Sequence, residues 1–245
     1  MTIAASPRQA ELPLPPPDLI HMVAGTEDPD WFLESGGRAV DAIRINLERH
    51  GYRIEDARAV LDFGCGSGRV LRHWAALDGP AFHGTDYNPV LVDWCASNLP
   101  FAQCQVNTLT PILTYDDDTF DLIYALSVFT HLPEVDQLLW MDELHRVLRP
   151  GGLLILTTHG GFYRSSLMPD DLARFASGEL IVYGDALPGT NVCATFHPEP
   201  YVRRVLARRF EVLDFVPEGA LGNPRQDLSL LRRPATGAVG DACAS

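Results

Sequence analysis

At 245 residues and 46% apolar composition, the chain is long enough to fold as one sizeable α/β domain. Thirty-two acids against 19 bases leave a formal charge of −13, which repels phosphate backbones and anionic lipid and so disfavours nucleic acid and membrane surfaces as partners. All 19 bases are arginine, and the absence of lysine removes Schiff-base chemistry and lysine-dependent phosphate loops.

Residues 1–17 end in ELPLPPP and are expected as an extended or disordered, proline-rich arm. A single domain over 18–233 follows. It divides into a helical cap at 18–56, a central core at 57–160, an insertion at 161–196, and a closing helix and strand pair at 197–233, with 234–245 as a flexible tail. In the cap, PDWFLESGGRAVDAIRINLERHG has helical spacing at Val40, Ile43 and Leu47, with Gly51 as a stop. Val60–Phe63 reads as a buried strand, followed by a glycine turn and a helix over Arg69–Leu77. Further strands are expected at Ala81–Thr85, Gln103–Val106, Phe120–Leu126 and Leu153–Thr158, with a helix over Pro89–Leu99. PEVDQLLWMDELHRVL is a second core helix whose inward stripe is expected to be Val135, Leu138, Leu139, Leu144 and Val147. Strands alternating with helices imply an α/β fold with a doubly wound parallel sheet, and the insertion after the fifth strand would lie over the carboxyl edge where ligands bind. The chain closes with a helix at Glu199–Arg208 and the strands FEVLDFV and DLSLLRR.

Five cysteines, at 65, 95, 104, 193 and 243, form no C-x-x-C pair. That argues against a disulfide framework or zinc cluster and for a reducing, cytoplasmic setting. No signal-peptide pattern or membrane-spanning apolar run is present in the sequence. No histidine pair has metal-ligand spacing, so no metal site is expected.

The chemistry concentrates in AVLDFGCGSGRVLRHW, residues 59–74. A lysine-bearing phosphate loop is impossible here. The dinucleotide pattern G-x-G-x-x-G needs glycine at 69, where Arg69 stands, and Asp62 would oppose a pyrophosphate. An acid before a bare turn suits a cationic ligand. S-adenosylmethionine fits: it has no phosphate, and it carries an ammonium and a sulfonium beside ribose and adenine. Gly64, Gly66 and Gly68 would let backbone pass closely beneath its amino-acid part. Asp86 ends the second strand and is placed to accept from both ribose hydroxyls, and Tyr87 offers a flat surface for adenine.

VLDFGCGSGR, FHGTDYNP, FDLIYALSVFTHL and LRPGGLLILTTH, read together, resemble the successive motifs of class I S-adenosylmethionine-dependent methyltransferases of the small-molecule type. The resemblance covers residues 57–160 and, more loosely, the closing strand pair. It implies a Rossmann-like sheet of seven strands, mostly parallel with an antiparallel last strand. It also implies cofactor contacts from Asp62, Gly64, Cys65, Gly66, Gly68, Asp86 and Tyr87 and from Ala125, Leu126 and Ser127. Where many members carry an acid near adenine, this chain has Asn107, followed by Thr108 and Leu109.

Methyl transfer from a sulfonium is an in-line displacement, so alignment matters more than a loud catalytic apparatus, and a base is needed only when the acceptor must lose a proton. His131, just before a helix whose positive end would hold its imidazole neutral, is the candidate base. His159, after the fifth strand, is a candidate acceptor contact. Phe162, Tyr163, Tyr183 and His197 are further candidates for a pocket under the insertion. The leading expectation is a methyltransferase acting on a small molecule. The alternatives are a nucleotide-dependent oxidoreductase, which Arg69 and Asp62 disfavour, and a non-catalytic module that keeps the cofactor pocket.

Overall fold

The computed structural model describes residues 12–190, 192–221 and 224–235. Strands β1 (Ala59–Phe63), β2 (Ala81–Asp86), β3 (Ala102–Val106), β4 (Phe120–Ala125), β5 (Leu148–Thr158), β8 (Glu211–Val216) and β9 (Asp227–Arg232) form one seven-stranded sheet in the order β3-β2-β1-β4-β5-β9-β8. β1 to β5 pair in parallel, and β9 enters antiparallel between β5 and β8. This is the α/β architecture expected from the sequence. The chain winds outward from β1 through β2 to β3, then returns to place β4 on the other side of β1. The crevice at the carboxyl ends of β1 and β4 is therefore the topological switch point.

Both faces of the sheet are covered. Helix α4 (Glu134–Val147) packs on one face through Trp140, Met141, Leu144 and Val147. Helix α2 (Pro29–Arg49) and α3 (Pro89–Asn98) cover the other, where Ala39, Ile43, Leu47 and Cys95 meet Val60, Leu122 and Tyr124. α2 starts where Asp28 accepts from the Asp30 and Trp31 N–H groups ahead of Pro29, an ordinary capped start. A separate two-stranded ribbon, β6 (Ile181–Tyr183) with β7 (Ala194–Phe196), lies within the 161–196 segment, after helix α5 (Pro169–Ala176).

Four local expectations are corrected. Residues 12–17 of the expected arm are held against the domain. Arg72 Nη2 donates to the carbonyls of Leu12 (3.0 Å) and Pro13 (3.1 Å), and Pro17 sits in the first turn of helix α1 (Pro17–Ala24), where its fixed φ costs nothing. Residues 1–11 and most of the expected tail, 236–245, lie outside the described residues. The helix expected over Arg69–Leu77 contracts to a 3₁₀ turn, Leu71–Trp74, because Gly68 holds φ at +77° before it and Gly79-Pro80 close the segment after it. On α4 the inward face is rotated: Val135 is 69% and Leu139 48% exposed, while Gln137 and Glu143 are buried. Polar burial is tolerated there because Gln137 donates to the Phe129 and Leu132 carbonyls, and Glu143 accepts from the Leu113 N–H and from Arg146. Finally, the expected helix at Glu199–Arg208 is a single α turn, Glu199–Tyr201, continued by a π turn, Val202–Leu206. Among the described residues, no helix is long and apolar enough to cross a membrane.

Candidate cofactor and acceptor site

A cavity of about 560 Å³ opens at the switch point. Its floor is the β1 end and the turn after it, Asp62 to Gly66. Asp86 and Tyr87 from the β2 end, Asn107 to Leu109 beyond β3, and Leu126 to Val128 beyond β4 form the sides. Met22 to Gly25 and Trp31 cover it from the N-terminal helices, and Gly189 and Thr190 reach in from the inserted segment.

The floor is electrostatically unusual. Asp62 is buried, one of its carboxylate oxygens (Oδ2) has no hydrogen-bond partner, and burial pushes its pKa up to about 8 against the pull of the Tyr124 hydroxyl and the Arg69 charge. A buried carboxyl group with one unpaired oxygen ionises readily only when a cation pairs with it, which makes it a good neighbour for an ammonium and a poor one for phosphate. Asp86 is held rigidly: Oδ2 accepts from the Gly66 N–H and Oδ1 from the Asn88 N–H, both at 2.9 Å. Each oxygen keeps a second acceptor site, the arrangement two vicinal hydroxyls require.

Residues 61–156 match the family model for a methyltransferase domain. The matched stretch is about two fifths of the chain. Among relatives, it is 28% identical over 132 residues to the methyltransferase GfsG of Streptomyces halstedii, covering 52% of this chain and 45% of that protein. It is 30% identical over 163 residues to a sterol 24-C-methyltransferase of Schizosaccharomyces pombe, covering 60% and 41% respectively. The chain thus spans less than half the length of either relative. The crystal structure of an S-adenosylmethionine-dependent methyltransferase from Mesorhizobium loti superposes with a TM-score of 0.57 at 20% identity, covering 78% of this chain and 98% of that one, which is a likeness of fold.

The cavity gathers most of the residues singled out from sequence: Asp62, Gly64, Cys65, Gly66, Asp86, Tyr87, Asn107, Thr108, Leu126, Ser127, His131 and His159. Two stand off its wall. Ala125 is fully buried in the core, and Gly68 packs against α3, where a Cβ would stand 2.5 Å from Leu99 Cδ1. The other glycines also serve protein packing. Gly64, at φ +79°, would set a Cβ 2.4 Å from Val128 Cγ2, and Gly66, at φ +54°, would set one 2.7 Å from Val23 Cγ2. The bare turn therefore admits the side chains that roof the cavity as well as any ligand. The N–H groups of Gly64 and Cys65 are already spent on the Thr85 carbonyl.

Asn107 is equally committed: Thr85 Oγ1 donates to its Oδ1, and its Nδ2 donates to the Thr108 carbonyl at 2.8 Å. The Tyr87 hydroxyl donates to the Gly189 carbonyl at 2.9 Å, and the Gly189 N–H donates to the His131 carbonyl at 2.7 Å, so the inserted segment is pinned across the cavity mouth. Ser127 adopts φ +60°, a left-handed conformation unusual outside glycine, with its N–H held by Thr157 Oγ1.

His131 and His159 meet at the far end, with ring centroids 6.3 Å apart. His131 Nδ1 lies 3.0 Å from the Cys193 carbonyl; a carbonyl only accepts, so Nδ1 carries the proton and Nε2 keeps a lone pair. Burial holds the His131 pKa below its ordinary value; the helix end invoked from sequence is not the cause found. Burial, aided by the His131 charge, pushes His159 down to about 4, and its Nδ1 has no partner. Both rings are neutral at pH 7.

Of the other aromatics singled out, Tyr163 packs on His159 (centroids 4.3 Å apart), Tyr183 donates to Asp171, and Phe162 lies half-exposed beneath Arg225. His197 is fully buried against Gln137. None of the four lines the cavity. Sequence reasoning missed Gln226, which carries no motif but accepts from Ser127 and Thr157 and buries an unpartnered Nε2, and it gave no role to Arg69, which also lines the cavity.

Proposed function

We propose that the chain binds S-adenosylmethionine in this cavity and transfers its methyl group to a small-molecule acceptor. The observation that carries the reading is the pairing of Asp62, a buried carboxyl group with an unpartnered oxygen, with Asp86, a carboxylate fixed by two backbone N–H groups at the end of the adjacent strand. When bound, the cofactor supplies an activated methyl on a positively charged sulfur. Asp62 takes the ammonium, Asp86 the ribose hydroxyls, and Tyr87 with Asn107, Thr108 and Leu109 borders the adenine. Cys65, Gly64, Gly66, Leu126 and Ser127 fill the remaining wall.

The inserted segment acts as a lid, tied to Tyr87 and His131 through Gly189, and excludes water from the transfer. His131, its tautomer fixed by the Cys193 carbonyl, accepts a proton from a hydroxyl acceptor at Nε2, and His159 contacts the acceptor. Supporting this reading, the sterol methyltransferase named above acts, as its name states, on a small molecule. A small acceptor also suits a chain of charge −13, which repels polyanions. The enzyme is proposed to work in the cytoplasm without a metal.

The test is transfer of isotope-labelled methyl from S-adenosylmethionine to a panel of phenols, sugars, amines and carbon acids. Labelled product with at least one hydroxyl acceptor is expected. Tight cofactor binding with no product from any class would favour the non-catalytic module.

A further inference from the structure

Three cysteines far apart in sequence meet beneath the cavity floor. Cys65 comes from the turn after β1, Cys95 from α3 and Cys104 from β3. The Sγ atoms of Cys65 and Cys95 lie 3.6 and 3.3 Å from the Gly66 carbonyl oxygen. Cys104 stands beside Gly84 in the β2–β3 register, and a Cβ on Gly84 would sit 3.1 Å from Cys65 Sγ and 3.2 Å from Cys104 Sγ. Glycine inside a strand weakens it, and here the missing side chain leaves the space in which these two sulfurs meet. Thiol–thiol hydrogen bonds link Cys104 to both Cys65 and Cys95, and all three cysteines are free.

The three thiols differ in reach. Cys65 and Cys95 are buried, whereas Cys104 is partly exposed on the edge strand of the sheet. Hydrogen bonds from the Cys65 and Cys95 thiols hold Cys104 well below the ordinary thiol range, and the contact with Cys104 pushes Cys65 up. Cys104 is therefore the thiolate of the cluster and the member a dissolved oxidant meets first, the two conditions for a reactive cysteine. A resolving thiol needs no solvent access, only contact with the oxidised sulfur, and Cys65 has that contact.

We propose that Cys104 and Cys65 form a peroxide-modified pair whose reversible disulfide displaces the turn on the cavity floor. The Cys104 thiolate attacks one oxygen of hydrogen peroxide, the O–O bond breaks, and the departing hydroxide takes a proton to become water. Cys65 sulfur then attacks the resulting sulfenic sulfur; the S–S bond forms, the S–O bond breaks, and the hydroxide leaves as water with the Cys65 proton. Two thiols have lost two electrons, and one peroxide has become two waters. Disulfide sulfurs stand about 2 Å apart, closer than two thiols in contact, so the bond draws the turn towards β3. The Gly66 N–H in that turn donates to Asp86 Oδ2 at 2.9 Å, so the ribose-binding carboxylate loses a support. The effect on the cofactor rests on the reading above; the bond itself does not.

The experiment treats the reduced full chain with hydrogen peroxide, removes the excess, and maps trypsin–chymotrypsin digests by mass spectrometry without reductant. Chymotryptic cleavage after Leu99 and Phe101 separates Cys95 from Cys104. A Cys65–Cys104 crosslink that dithiothreitol removes is expected. By calorimetry the oxidised protein should bind S-adenosylmethionine about tenfold more weakly or worse. Dithiothreitol should restore the affinity, which separates the disulfide from methionine sulfoxide. Cys104→Ser should form no crosslink to Cys65 and keep its affinity through the peroxide treatment.

The crosslink map uses the wild type alone, so a variant that misfolds leaves the test intact. Absence of the Cys65–Cys104 crosslink, a crosslink to Cys95 in its place, or a crosslinked protein of undiminished affinity would overturn the proposal and leave the cofactor reading standing. Reduced wild type that binds no S-adenosylmethionine would overturn the cofactor reading, and the map would still decide whether the pair forms.

Discussion

Replacing Asp62 by Asn should make the unliganded protein more stable, by an amount that grows with pH. The carboxyl titrates near 3.8 in an unfolded chain and near 8 in the fold. Below pH 3.8 both states hold the proton, and the group contributes equally. As pH rises from 3.8 towards 8 the unfolded chain releases the proton while the fold keeps it, so stability falls over that window.

At pH 7 the separation is 7 − 3.8 = 3.2 pH units. At about 1.4 kcal/mol per unit, the wild type loses roughly 4 kcal/mol that Asp62→Asn does not. For a chain of this size each kcal/mol moves Tm by about 2–4 °C, which places the gap at roughly 8–16 °C. Any fixed packing cost of the amide shifts the two curves without tilting them, so the slope decides. Thermal melts of both proteins from pH 4.5 to 8 should diverge steadily, with the wild type falling relative to the variant. Parallel curves would refute the claim that the carboxyl is buried without compensation, and with it the argument that the site awaits a cation.

Three further outcomes follow from the same geometry. Asp62→Asn should bind S-adenosylmethionine at least tenfold more weakly by calorimetry, since a neutral amide replaces the ammonium's counter-charge. Gly64→Ala should destabilise by about 1–3 kcal/mol in urea melts, because alanine must adopt φ +79° and its Cβ meets Val128; adding Val128→Ala should relieve the clash but not the strain. His131→Ala should lower kcat about 10²- to 10⁴-fold with a hydroxyl acceptor, with KM for the cofactor little changed. Because burial holds the His131 pKa below its ordinary value, the wild-type kcat should be flat at neutral pH and fall only on the acid side as the ring gains a proton, and this limb should vanish in the variant.

The parts of the fold that could be read from sequence are those where local chemistry and tertiary role coincide. Val60–Phe63, the glycine turn and Asp86 declare themselves because a buried parallel strand, a left-handed turn and a strand-end acid each leave a local signature. The face of α4 did not. Its apolar residues suggest one stripe, but Gln137 and Glu143 find partners on distant carbonyls and on Arg146, which turns Val135 and Leu139 outward.

Arg72 illustrates the same limit. Nothing local shows that it captures the carbonyls of Leu12 and Pro13 and orders a proline-rich segment. In the site, the residues named from motifs converge, whereas Gln226 comes from the far end of the chain and joins through hydrogen bonds to Ser127 and Thr157. Long-range satisfaction of polar atoms leaves no periodicity in sequence.

The most direct measurement is a crystal structure of the full chain grown with S-adenosylhomocysteine, the demethylated product. The account predicts the nucleoside seated across the β1 and β2 ends, with its ribose hydroxyls on Asp86 and its amino group on the free oxygen of Asp62. A ligand lodged elsewhere, or a phosphate-bearing nucleotide that displaces it from the Asp62 turn, would contradict the account.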